Sequence, residues 1–538
     1  MCKKVAALVL PKRHIHTSIK KINDQGRDEA LNGDLTGIID IGSNTIRLVI
    51  YKTNRRGNLK EIENVKVVAR LRNYLSERGL LTEDGILKLI KILQSFQEVT
   101  RSYSLTNVKC VATATIRQAN NKEVILARVK SETDYSMVIL SEYEEANYGF
   151  LAVVHTTPYE EGVTVDIGGA STEITYFKDR KLVHFHSFPF GALSLKKQFI
   201  KGDTPTPDEM IVLKSYLQEQ FSTLNWIQQK LVPLIGIGGS ARNMVQIHQE
   251  FIDYPVAGVH QYKMKTQEIH HLNQTLQKMT FTEIQRLEGL SKDRADIIIP
   301  AVEVFSTLLV MINTDTFSLS QKGLREGIYF EESSKSKPVP NVLNESLNEL
   351  AIDYQIVRED ALERQKLAVC IAQLLMHEGL LSINEKDEER LKRSSFVYNL
   401  GSYIDRESSS QHTFYILANR TINGMDHRER IVTALLASYK NKSAFKRYMR
   451  PFAHWFTKEE GAKLRLMGAM IKFAHCLDAT KRKIIQNIAI QNNGEELTFF
   501  IHCSKDWQPE MYQVDKQKKH LEKQLGKSIT VKFFGDTQ

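Results

Sequence analysis

The sequence predicts an α/β protein built as two related lobes, followed by a mainly helical region and a small α+β end. Three observations carry that expectation. The stretch "IIDIGSNTIRLVIY" (38–51) is echoed by "VDIGGASTEITYF" (165–177): apolar run, Asp-Ile-Gly, small polar turn, alternating strand. Each copy opens a block in which strand-like and helix-like segments alternate. Past the Ser/Lys/Pro-rich stretch "FEESSKSKPVPNV", near 330–342, the periodicity turns mostly helical.

Residues 1–34 read as a basic, poorly ordered extension. Their apolar hexamer, ended by Pro11, is shorter than the roughly 7 residues a signal segment needs. In the first lobe, 35–158, "TGIIDIG" and "IRLVIYK" form a hairpin about "SNT". "LTEDGILKLIKILQSFQEVTRSY" has helical periodicity, and "VKCVATA" and "YSMVILS" read as buried strands. The second lobe, 159–332, opens with "GVTVDIGG" and "TEITYFKD". It adds a third glycine turn, "LIGIGGSARNM" (234–244), and a helix in "DRADIIIPAVEVFSTLLVMI" (293–312). Residues 340–479 are helical, in "ALERQKLAVCIAQLLMHEG", "RERIVTALLASYK" and "AKLRLMGAMIKFAHCLDA". From 480 to 538 the order is strand, strand, helix, strand.

At 538 residues the chain exceeds a single core, and its 42% hydrophobic and 25% charged residues are ordinary for a globular protein. Lys and Arg number 73 against 63 Asp and Glu, a balance of +10 that favours a polyanionic partner. Cys2, Cys110, Cys370, Cys476 and Cys503 are scattered and form no Cys-x-x-Cys pair. A disulfide or zinc framework is not expected, and a cytoplasmic location is. No run of about 18 apolar residues exists, so no membrane partner is expected.

A tight Gly/Ser/Asn turn exposes backbone N–H groups that suit phosphate oxygens. An Asp just before it repels phosphate unless it holds a divalent cation or a water. One copy could be an ordinary hairpin; three glycine turns indicate a cleft between lobes. In "ILSEYEEANYGFLAVVH", Ser141 and Glu144 form a capping-box pattern, which occupies Glu144 and leaves Glu145 free.

These stretches are joined by "NYLSERGLLTEDGI", "VATATIRQANN", "FPFGALSL", "LSKDRADIIIPA" and "GLREGIY", in order across 36–330. Together they resemble the exopolyphosphatase / guanosine pentaphosphate phosphohydrolase family, a branch of the actin–Hsp70–sugar kinase superfamily. The resemblance implies two actin/Hsp70-like (ribonuclease H-like) lobes and a helical HD-like region. It also implies a likeness to homodimeric hydrolases that use Mg2+ (or Mn2+) to release orthophosphate from inorganic polyphosphate. By the same resemblance Glu145 is the catalytic glutamate that activates water, with Asp166 and Glu173 catalytic beside it, and Asp40, Asp166 and Glu173 are the metal-linked acids. The phosphate cradle it implies is Gly42, Ser43, Asn44 and Thr45 facing Gly168, Gly169, Ala170 and Ser171, with Arg117 and the turn residues Gly238, Gly239 and Ser240.

The chain departs from the family at several places. Ala170 replaces a common glycine, and Asn147 replaces an arginine after the Glu-Glu-Ala run. Where relatives carry an HD metal pair this chain has Tyr398 and Asn399, so no second hydrolase site is expected; His412 is either its remnant or a surface histidine. The basic segments 439–450, 481–483 and 516–527 are either solvated faces or a path for a long polyanion. The histidine pairs lack supporting ligands for a transition metal. Guanosine pentaphosphate is the alternative substrate, nucleic acid is not an expected partner, and the rivals are a kinase of the same superfamily and a polyphosphate-binding regulator.

Overall fold

The computed structural model describes residues 34–53, 59–332 and 341–535. The N-terminal extension therefore lies outside the described residues except for Asp34, which opens the first strand, and so does most of the Ser/Lys/Pro stretch.

Both lobes grow from the repeated hairpin. In the first, strands β1 (Asp34–Ile41), β2 (Thr45–Thr53) and β3 (Leu59–Val68) form an antiparallel meander. Strands β4 (Val108–Ala112) and β5 (Met137–Ile139) add in parallel, giving the order β3-β2-β1-β4-β5. In the second, β6 (Gly162–Ile167), β7 (Thr172–Lys178) and β8 (Lys181–Phe188) repeat the meander. Strands β9 (Leu234–Ile237), β10 (Lys263–Met264) and β11 (Phe317–Leu319) complete the order β10-β11-β9-β6-β7-β8. A three-strand meander joined to parallel strands, twice over, is the ribonuclease H-like pattern of actin/Hsp70-type lobes. β5 is shorter than the buried strand expected there: it ends its sheet, and Val138 is half exposed. An edge strand needs only one apolar face.

Helices Glu142–Thr156 and Leu324–Glu332 join the lobes. Their apolar faces share a cluster with Ile38, Val49 and Val111 of the first sheet and Phe177, Ile235 and Ile237 of the second. The Tyr51 hydroxyl crosses the same junction and donates to Glu326 at 3.0 Å.

The helical region docks on the second lobe through polar contacts as well as apolar ones. Lys263 pairs with Asp426 at 2.8 Å, and Arg430 donates to the Ala257 carbonyl at 2.9 Å. Helices Arg358–His377, His427–Ala437 and Lys458–Leu477 carry its core. The final sheet, of strands Ile485–Asn492, Glu496–Cys503 and Ser528–Gly535, shares that core, with Phe473 and Phe499 rings 5.1 Å apart.

Candidate active site

Register places the two repeated aspartates alike. Asp40 lies opposite Arg47 on β2 and beside Val111 on β4; Asp166 lies opposite Glu173 on β7 and beside Ile237 on β9. Both stand at the carboxyl ends of parallel-paired strands, where open α/β sheets place their ligands. The turns that follow close with matching hydrogen bonds, Gly42 N–H to the Thr45 carbonyl and Gly168 N–H to the Ser171 carbonyl, each 3.0 Å. The turns face one another across one cleft. A Cβ on Gly169 would stand 3.1 Å from Ser43 Cβ, so a side chain there would crowd the opposite wall. The third turn joins them: Gly238 has φ +80° and its backbone runs so close to Asp166 that a Cβ would collide with the carboxylate. Glycine meets both demands, positive φ and close approach.

Of the expected residues, the cleft is lined by Asp40, Gly42, Ser43, Asn44, Thr45, Glu145, Asp166, Gly168, Gly169, Ser171, Glu173, Gly238 and Gly239. Three do not line it. Ala170 is wholly buried and does not line the cavity. Ser240 is buried and donates to the Ile167 carbonyl at 3.0 Å, tying helix Gly238–Phe251 to β6. Arg117, expected to face phosphates, donates instead to Glu145 Oε2 and to the Leu140 carbonyl, each at 2.9 Å. A buried carboxylate demands a cationic partner, and Arg117 is the one within reach.

The capping box at the start of helix Glu142–Thr156 is complete: Ser141 N–H donates to Glu144 at 2.7 Å and Glu144 N–H to Ser141 Oγ at 3.2 Å. Glu144 is thereby held at the helix end, and Glu145, one residue on, turns into the cleft.

Four carboxylates share this confined space, and burial is the chief perturbation of each. Glu145 is pushed up to about 7 by burial and by the charges of Asp166 and Asp40, against the pull of Arg117. Asp166 rises to about 6 through burial and Asp40. Asp40 is raised by burial, with Arg325 and Arg47 opposing. Glu173 is raised well above its ordinary value by burial and then by Glu145. A carboxylate raised on folding favours the protonated folded state, so its contribution to stability falls as pH rises from 4.5 through its folded value. Glu173→Gln is therefore expected to stabilise the ligand-free protein at pH 7.5 and to flatten its thermal stability between pH 5 and 7.5. Calorimetry across that range checks it; an unchanged or lower midpoint at pH 7.5 refutes it.

Asp40, Asp166 and Glu173 do not form a three-ligand cage. Asp40 is taken by Arg325 at 3.1 Å and Glu173 accepts from Ser187 at 3.1 Å, and among the described residues no group of three acids, histidines or cysteines stands together to hold a metal. Among those residues Asp166 forms no side-chain ion pair, and it faces the cavity. That donor set suits Mg2+, which takes one or two carboxylates and completes its shell with water and substrate phosphate oxygens.

Sequence reasoning passed over four cations in the same cleft: Arg47, Arg242, Arg294 and Arg325. Arg47 had a signal, since it follows Asp40 by the seven residues that separate Glu173 from Asp166. The other three come from separate segments, and a lone arginine in sequence looks like any surface arginine. Arg294 sits on a 3-10 turn, Lys292–Arg294, ahead of helix Ile298–Ile312; the longer helix expected from 293 does not form. Burial lowers Arg47 to about 10, with Arg325 and Arg242 adding to the effect. Crowded, poorly hydrated guanidinium groups are a strong site for phosphate oxygens.

Two ribonuclease H-like lobes closing on a cleft of glycine turns, acids and arginines define a phosphoryl-handling protein of the actin-like fold. The model of the Ppx/GppA phosphatase family matches residues 49–336, and that of Ppx/GppA phosphatase domain III matches 342–524. The chain belongs to the Ppx/GppA phosphatase family. It is 25% identical over 296 residues to exopolyphosphatase 1 of Mycobacterium tuberculosis, covering 54% of this chain and 86% of that one. It is 22% identical over 409 residues to the guanosine-5'-triphosphate,3'-diphosphate pyrophosphatase of Pseudoalteromonas atlantica, covering 74% and 78%. The Aquifex aeolicus Ppx/GppA crystal structure superposes with a TM-score of 0.51 at 29% identity, over 56% of this chain and 99% of that one. Among the described residues no helix is long and apolar enough to cross a membrane.

Proposed function

We propose that this chain is an exopolyphosphatase that hydrolyses the terminal phosphoanhydride of inorganic polyphosphate, with Glu145 as general base. The observation that carries the reading is one cleft holding Glu145, Asp166 and four arginines between two facing glycine turns. The turn N–H groups and the arginines bind the end of the polyanion and spread its charge. Arg117 orients Glu145, which accepts the proton of the attacking water. As the water oxygen bonds to the terminal phosphorus, the bridging P–O bond breaks and the shortened chain leaves with its charge on the arginines. Asp166 would be the principal ligand for Mg2+ or Mn2+, with Asp40 and Glu173 lining the same cleft, and the cation would supply neutralisation of phosphoryl charge.

Hydrolysis of guanosine pentaphosphate is the second reading. It is favoured by the longer match to the Pseudoalteromonas pyrophosphatase, which extends into the helical region. Orthophosphate release from long polyphosphate, short polyphosphate, guanosine pentaphosphate and ATP, with and without magnesium, decides between them. The highest kcat/KM is expected on polyphosphate. A higher value on guanosine pentaphosphate replaces the first reading with the second, and ADP formed only with an acceptor present defeats both.

A further inference from the structure

A second cavity lies in the helical region, built from residues that line no part of the catalytic cleft. It is an open cleft of about 490 Å³ between helix Ser409–Asn419 and helix Lys442–Met449, lined by Gln411, His412, Phe414, Tyr415, Arg447 and Tyr448. Its floor is rigid. The Phe414 and Tyr448 rings stack at 4.7 Å and 11°, and the Tyr448 hydroxyl lies 3.2 Å from Ser410 Oγ. The wall is not needed for folding, since Tyr415 is 68% exposed. The Arg447 guanidinium stands 5.2 Å from the centroid of Tyr448, beside the opening.

The charge around this cavity lacks its complement. Lys442, Lys446 and Arg450 follow at i, i+4 spacing, where like charges destabilise a helix, and no acidic residue occurs from 439 to 458. Among the described residues none of Lys442, Lys446, Arg447 and Arg450 forms an ion pair. The other basic segment nearby in sequence is different: Lys481 and Lys483 pair with Asp360, and Arg482 with Glu510. Arg447 is the cation that lines the cavity, beside the exposed Tyr415 ring, and the helix that carries it holds further unpaired cations; a cation beside an exposed ring marks an anionic ligand that carries a flat apolar part. Polyphosphate has the charge but no ring. A nucleic acid strand needs a succession of stacking platforms, and this cavity has a single exposed one.

The geometry points to a nucleotide site in the helical region, with the base on Tyr415, Gln411 lining the same cavity, and the phosphates on Arg447. A cavity of this size is in the range of small-molecule sites. The site is independent of what the catalytic cleft hydrolyses.

The test is photolabelling of the full-length chain with 8-azido-ATP, in excess tripolyphosphate to fill the catalytic cleft, followed by mapping of the labelled peptides. Label is expected within 409–419 or 439–450, competed by ATP or GTP. Tyr415→Ala is expected to reduce it about 10-fold, the loss of one stacked base, while Tyr415→Phe retains it. Arg447→Gln is expected to weaken it as well. Orthophosphate release by Tyr415→Ala should match the parent, since that ring lies outside the catalytic cleft. Label confined to cleft peptides overturns the proposal, as does tripolyphosphate competing as well as nucleotide at equal concentration. A single-stranded oligonucleotide that competes below nucleotide concentrations overturns it in favour of nucleic acid.

Discussion

Glu145→Gln is expected to lower kcat on polyphosphate by about 10²–10⁴-fold while leaving substrate affinity within a few-fold of the parent. The amide keeps the shape of the side chain and can still accept from the Arg117 guanidinium, which stands 2.9 Å from Glu145 Oε2, but it cannot take a proton from water. Glu144→Gln is the control. It keeps an acceptor for the capping box but removes a negative charge from the helix N-terminus, and should cost about 0.3–1 kcal/mol of stability with turnover near normal. A dead Glu144→Gln with an active Glu145→Gln would reverse the assignment. The pH profile is a further check. A general base must be ionised, and burial holds Glu145 at about 7, so activity should rise with pH through the neutral range. Bound cation lowers that midpoint by favouring the charged form. Glu145→Gln should lose this limb entirely; a profile unaltered in the residual activity would assign the titration to another group.

Asp166→Asn is expected to reduce kcat by about 10²–10³-fold and to raise the magnesium concentration needed for half-maximal activity. Among the described residues Asp166 has no ion pair, whereas Asp40 is already neutralised by Arg325. The neutral amide relieves repulsion on Asp40 and Glu145, so Glu145 should titrate lower in the variant, the opposite of what a general loss of structure would produce. A fall in rate with unchanged magnesium dependence would make Asp166 an orienting residue for the loop at Gly238 and not a ligand.

The local grammar of this protein is legible in its amino-acid sequence. The two hairpins, the aspartates at their strand ends, the N-terminal capping box at Ser141 and the glycine at 238 are all dictated within a few residues: by strand alternation, by orphan N–H groups at a helix start and by backbone freedom. Those rules act over short separations, so a sequence displays them directly. Arg117 shows where that reach ends. Its type suited phosphate, yet its partner is decided by which buried acid lies within reach, and that is Glu145, 28 residues away. Arg294 and Arg325 reach the cleft only because the second lobe folds its far segments back against the first turn; Arg325 meets Asp40 across 285 residues. The chain by itself determined the repeated strand–turn units and the acids they present, because each follows from local hydrogen bonding and apolar period. The tertiary structure decided which charges face one another, because pairing between distant groups depends on burial and distance, and neither is written at any single position.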